Sequence, residues 1–184
     1  MNELNEMDPF NPAYHLVMSL VEYTRGNGKL ALERIRSAYK KNPEVPQVLL
    51  YYAYLLAANN YASESSAVFD RLVAENTGTI FCPMGTFLKH SLQGEKDKAL
   101  ESLSEESKTK LRKDPEWSWL IADGYAMIHQ TDESLEWLEA MVSTDFINYP
   151  LLSKYDVFLD NVRSEPRFTK LMEKVKFSWG HFDS

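Results

Sequence analysis

Gly26-Asn27-Gly28-Lys29-Leu30-Ala31-Leu32-Glu33-Arg34-Ile35-Arg36-Ser37-Ala38-Tyr39-Lys40-Lys41-Asn42-Pro43 reads as a turn, a helix and a stop. The two glycines supply the backbone freedom of a tight turn. From about Lys29 the apolar and small residues Ala31, Ile35 and Ala38 recur at three-to-four spacing, which predicts one buried helical face as far as Lys41. Asn42-Pro43 ends it, because proline cannot continue a helix.

The same grammar extends in both directions. Pro12 suits a first turn ahead of His15–Val21, a helix that stops at Gly26. Further pairs read Gln47–Ala58 with Tyr61–Glu75, Ile80–Leu92 with Glu95–Leu103, and Glu116–His129 with Glu133–Val142. Their turns fall at Asn59-Asn60, Gln93-Gly94 and Gln130-Thr131-Asp132. The stretch 104–113 interrupts this register. Two more helices are expected at Leu152–Val162 and Pro166–Val175, the last with Ser164 as N-cap. No segment shows a period of two, so no strand is expected.

A 34-residue period links the pairs: Pro9 with Pro43, Ser19 with Ala53, Gly26 with Asn60, Ala31 with Ser65, Ile35 with Phe69. Within each pair two small residues stand 12 apart: Ser19 with Ala31, Ala53 with Ser65, Ala122 with Ser134. Antiparallel helices can touch closely only where both carry small side chains. Ile35, Phe69 and Leu138, four residues further on, then fill the space towards the next pair. One pair alone cannot bury its apolar face, so the pairs must stack.

Gly26-Asn27, Ala31, Ile35, Ala38 and Pro43 resemble the second half of a tetratricopeptide repeat, although His15 stands where a large aromatic is usual. Ala122, Tyr125, Ser134 and Leu138 match the same pattern. The run 158–168, Phe-Leu-Asp-Asn-Val-Arg-Ser-Glu-Pro-Arg-Phe, resembles the closing segment after repeat arrays in bacterial signalling proteins. The resemblance implies an all-α superhelix: residues 1–11 a remnant of an upstream repeat or a linker, 12–143 a tetratricopeptide-like array, 144–184 a C-terminal cap. It also implies that the first helix of each pair lines a concave face. The side chains there would be Leu16, Leu20, Tyr23, Gln47, Leu50, Tyr51, Tyr54, Leu88, Trp119, Asp123 and Met127. Tyr51, Tyr54, Trp119 and Met127 are expected to be partly exposed as anchors for a peptide. Tyr52 and Trp117 are expected to pack between pairs. Leu16, Leu20 and Tyr51 replace the basic and Asn side chains with which one subfamily clamps C-terminal carboxylates. If the anchors are buried, the face around Pro9–Val21 becomes the better candidate.

Composition narrows the function. The net charge is −7, and the stretch 95–145 alone carries 13 acidic against 6 basic residues. Such a surface repels phosphate backbones, so no nucleic-acid partner is expected. Cys82 is the single cysteine, which excludes an internal disulfide and fits a reducing compartment. His15, His90, His129 and His181 are not spaced as paired metal ligands. No phosphate-binding glycine loop or nucleophile–base pair stands out. Carboxylates between Glu95 and Asp145 alternate with lysines, as on a solvated helical face. No apolar run approaches the roughly 20 residues of a membrane span. The expectation is a protein-interaction or regulatory module, not an enzyme, without metal or cofactor. It would be cytoplasmic, or the extracytoplasmic part of a membrane-tethered regulator, and belong to a larger bacterial signalling protein. A homodimer formed by self-association is the alternative.

Overall fold

The computed structural model describes residues 12–144 and 146–181; the expectation for residues 1–11 lies outside them. It is all-α: α1 Pro12–Thr24, α2 Gly28–Lys41, α3 Pro46–Ala58, α4 Ala62–Glu75, α5 Phe81–Leu92, α6 Lys96–Ser102, α7 Glu105–Leu111, α8 Pro115–Met127, α9 Thr131–Val142 and α10 Pro166–Gly180. A single π turn, Leu151–Tyr155, and a 3-10 turn, Val157–Leu159, stand between α9 and α10. No strand occurs among the described residues. Helices pair as α1·α2, α3·α4, α5·α6 and α8·α9, and successive pairs stack through α2·α3 and α4·α5, giving a tetratricopeptide-like helical repeat.

The small residues stand where the 12-residue spacing puts them. Ser19, Ala31, Ala53, Ser65, Ala122 and Ser134 are all fully buried. Ser65 Oγ donates to the Ala53 carbonyl at 2.8 Å, which brings α4 close to α3 and satisfies the buried hydroxyl. Ile35, Phe69 and Leu138 are likewise buried. Between pairs, Tyr52 stacks on Tyr39 with ring centroids 4.6 Å apart, and Trp117 meets Phe81 edge-on. Gly26 turns the chain at a φ of +83°, and a Cβ there would lie 2.6 Å from the Tyr155 ring. Glycine thus serves both the turn and the approach of the C-terminal segment to the first pair.

Three local expectations change. The interruption at 104–113 contains α7, capped where Ser104 Oγ accepts from Ser107 N–H. Glu105 and Glu106 in its first turn pair with Lys108 and Lys110. A single helix over Leu152–Val162 does not form. Asp156 is extended, with φ −74° and ψ 106°, and its side chain caps the 3-10 turn that follows. The cap residue of α10 is Glu165 rather than Ser164, with Pro166 in the first turn as expected. Helix α10 then lies on α9, burying Phe168, Leu171, Met172 and Val175. Arg167 forks onto Glu139 at 2.8 and 2.7 Å across that contact.

Candidate protein-binding face

Helix α8 carries the centre of the inner face. Asp114 caps it, accepting from Glu116 N–H and Trp117 N–H, and Pro115 fills the first turn. Nine successive residues, Ser118–Ala126, are then buried, so this helix is covered on all sides. The array curls tightly enough that α1 and α3 face α8 directly. Tyr51 Oη donates to Glu116 Oε2 at 2.8 Å, and Tyr54 Oη donates to Asp123 Oδ2 at 2.7 Å. The Tyr23 ring lies 5.7 Å from Tyr54 and 5.9 Å from Trp119.

Close approach is possible because Gly124 has no side chain. A Cβ there would stand 2.3 Å from Phe87, whose ring also packs on Tyr125. Gly85 of α5 eases the contact with α4 to a lesser degree, a Cβ there lying 3.0 Å from Leu72.

The space left between α3 and α8 is filled by the chain itself. Trp119 Nε1 donates to Asp156 Oδ2 at 2.5 Å, and Phe158 N–H donates to Asp156 Oδ1 at 3.1 Å. The Phe158 ring stands edge-on to Tyr54 at 5.1 Å. Asn161 Nδ2 donates to the Ala126 carbonyl, and Arg163 Nη2 donates to the Asp156 carbonyl at 2.5 Å. Leu159 and Val162 are fully buried. A side-chain carboxylate therefore does sit on the inner face, held by an indole N–H and not by a basic clamp from the helices.

Asp123 and Asp156 form a fully buried acid pair. Burial, then the charge of Asp156, push the Asp123 carboxyl well above the usual carboxylate range. Burial raises Asp156 to about 6, opposed chiefly by the Trp119 hydrogen bond. The groups facing the pair are Tyr23 from α1, Tyr54 from α3 and Arg163 from the C-terminal segment. Burial raises both tyrosines well above their usual range, Tyr54 further through the Asp123 charge and Tyr23 through that of Asp156. Asp156 accepts two N–H donors, which favours its charged form. Asp123 accepts one hydroxyl, and its buried Oδ1 has no hydrogen-bond partner among the described residues. Asp123 is thus the acid and Asp156 the carboxylate, sharing one proton as a coupled pair.

Three of the four expected anchors, Tyr51, Tyr54 and Trp119, are not exposed. Tyr23, Leu50, Tyr51, Tyr54, Trp119 and Asp123 are all buried; Trp119 keeps 2% of its surface and Tyr54 1%. The correction has a physical cause: the curl of the array and residues 156–158 exclude water from these rings. Leu16 and Leu20 are half-buried against the core, and Gln47 is exposed. Met127 is half-buried in a cleft of about 370 Å³ that it shares with Leu92, Val157 and Phe158. At the other candidate face, Val17 of α1 is exposed. Sequence reasoning missed Asp156 and Gly124, and placed Phe158 in the closing segment without its contact to Tyr54; an acid between Tyr155 and Val157 was the available signal.

Among the described residues no three His, Cys, Asp or Glu side chains gather as metal ligands. No helix there is long and apolar enough to cross a membrane. No family model matches the chain, and no curated protein matches it. Among solved structures the chain is similar to a MamA RS-1 ArsTM double mutant, with a TM-score of 0.44 and 16% identity, covering 94% of this chain and 98% of that one.

Proposed function

We propose that the chain is a protein-interaction module whose inner face holds a short segment of a partner protein. One observation supports this above all: that face holds a non-helical segment of the chain's own sequence, seated by a hydrogen bond from Trp119 and by aromatic contact with Tyr54. A surface that fits one short segment through side-chain donors and rings has the chemistry to fit another. The lone Cys82, the acidic surface and the closing run 158–168 accord with a regulatory piece of a larger cytoplasmic signalling protein.

Peptides selected from a random displayed library against the intact chain test this reading. Selected peptides should lose affinity when Trp119→Phe removes the indole donor. Selection that yields no binder, or binders indifferent to Trp119→Phe and Tyr54→Phe, would refute it. Self-association is a second reading, supported by Phe177 and Trp179, which stay 69% and 40% exposed near the end of α10. Light scattering decides it: a mass independent of concentration removes the homodimer.

A further inference from the structure

We infer that the partner segment carries a carboxylate, any residue, an aromatic and an aliphatic residue in one tight turn, and that Asp156-Val157-Phe158-Leu159 is an internal copy of that ligand. This rests on the reading of the inner face as a binding surface, and it names the chemistry of what binds.

The carboxylate follows from counting donors and acceptors. The Trp119 ring is buried, and its N–H meets Asp156 Oδ2. An occupant without an acceptor at that point would leave a buried donor unpaired. The other oxygen, Oδ1, accepts from Phe158 N–H and so fixes the turn that carries the ring inward. Both oxygens accept, and an amide offers one acceptor only. Asn is therefore a poor substitute, although it has the same shape. Asp123 meets that carboxylate from the receptor side. Its Oδ1 is buried, and no hydrogen-bond partner meets it among the described residues. With Oδ2 engaged by Tyr54, the occupant sets its own carboxylate beside this acid, and the buried pair titrates together. A basic residue would bring donors to a site that already presents donors.

The aromatic requirement has its own geometry. Tyr54 offers a ring edge-on at 5.1 Å, within the range aromatic pairs prefer. Phe158 is only half-buried, and the cleft of about 370 Å³ beside it, walled by Leu92 and Met127, leaves room for a larger ring. Leu159, by contrast, is fully buried, so the fourth position takes an aliphatic side chain. Val157 is 48% exposed, which leaves the second position unread. The occupant is extended at the acid and turns once, so a short linear segment suffices and no long helix is needed.

A fluorescein-labelled peptide of residues 153–165 is the probe, titrated by anisotropy against the full chain and against the full chain carrying Phe158→Ala. The internal copy competes at an effective concentration on the order of millimolar. Weakening it should therefore tighten peptide binding on the order of tenfold or more. The peptide's own Asp156→Asn and Phe158→Ala versions should each bind on the order of tenfold more weakly. Equal binding by the three peptides overturns the inferred motif while leaving the binding face intact. Absence of binding by these peptides and by every selected peptide overturns the binding face itself. Hydrogen exchange on the unsubstituted chain gives the same decision if the Phe158→Ala chain does not fold. At millimolar peptide the amides of residues 158–163 should exchange faster, and unchanged exchange overturns the inference.

Discussion

Raising the pH from 5 to 8 should destabilise this chain through the buried acid pair. The carboxyl of Asp156 goes from an ordinary 3.8 to about 6 in the folded chain. A group whose folded pKa lies above its unfolded value contributes stability that is fully present below the unfolded pKa. That stability is lost as the pH rises through the folded pKa. In full the contribution is about 3 kcal/mol, and about 1.4 kcal/mol of it falls between pH 5 and 8. Burial of Asp123 acts in the same direction. Glu95, Glu105, Glu106 and Glu139 have pKa values lowered, first by hydrogen bonds from Lys98, Lys108, Lys110 and Arg167. Their stabilisation is lost only as the pH falls through those lowered values, so they stay silent between 5 and 8. Asp156→Asn isolates the effect. Urea denaturation of both chains, followed by tryptophan fluorescence at pH 5 and pH 8, gives a stability difference at each pH. The unsubstituted chain should lose at least about 1.4 kcal/mol relative to the variant over that interval, about 3–6 °C in Tm for a chain of this size. A difference that stays constant, or that moves in favour of the unsubstituted chain as the pH rises, refutes the assignment of a buried acid pair.

Ala53→Leu should destabilise by about 1–3 kcal/mol, because Ala53 is fully buried where its carbonyl meets Ser65; an unchanged urea midpoint would mean the α3·α4 contact is looser than described. Gly124→Ala should cost a similar amount, about 1–3 kcal/mol, by driving a Cβ to 2.3 Å from Phe87. Phe87→Leu in the same chain should recover part of that loss, and strict additivity in a double-mutant cycle would argue against the contact. Removal of residues 150–184 should abolish cooperative unfolding, since it uncovers Tyr54 and Trp119 together with the face of α9 under Phe168, Leu171 and Val175. A truncated chain with a sharp thermal transition and intact near-ultraviolet dichroism would contradict this.

Much of the fold was legible because its signals are local or strictly periodic. Proline stops, turn glycines and the pairing of small residues 12 apart need only the chain's own spacing, and the buried contacts of Ala53 with Ser65 follow it. Helix α7 was also encoded locally, by Ser104 and the acidic first turn, but the broken register hid it. The reading failed at 152–162 because Leu152, Tyr155, Phe158, Leu159 and Val162 keep a helical apolar spacing, which outweighs one aspartate in any periodic count. Asp156 breaks the helix with a local cap on Phe158 N–H, and its other oxygen meets the indole of Trp119, 37 residues away, which spacing does not reveal. Of the expected inner-face residues, Tyr23, Tyr54 and Trp119 come together as one ring cluster. What spacing could not supply was the curl that sets Tyr54 against Asp123, 69 residues distant.

That curl explains why the anchors are covered. Tyr23, Tyr54 and Trp119 are large rings, and a continuous open groove built from them would be an apolar patch of the size that soluble proteins rarely leave in water. Two outcomes avoid it: a partner always in place, or an internal occupant that leaves when a partner arrives. Residues 156–163 are an internal occupant; that they leave when a partner arrives is the proposal, and their acid costs stability at neutral pH by its burial. Leu or Met at position 156 would leave the Trp119 and Phe158 N–H groups without an acceptor. Burial of Asp156 opposite Asp123 offsets part of what its two hydrogen bonds contribute, and more of it as the pH rises. Asp156→Leu should therefore weaken the internal occupant and strengthen capture of the 153–165 peptide by the same protein. Loss of stability without stronger capture would separate the acid pair from binding.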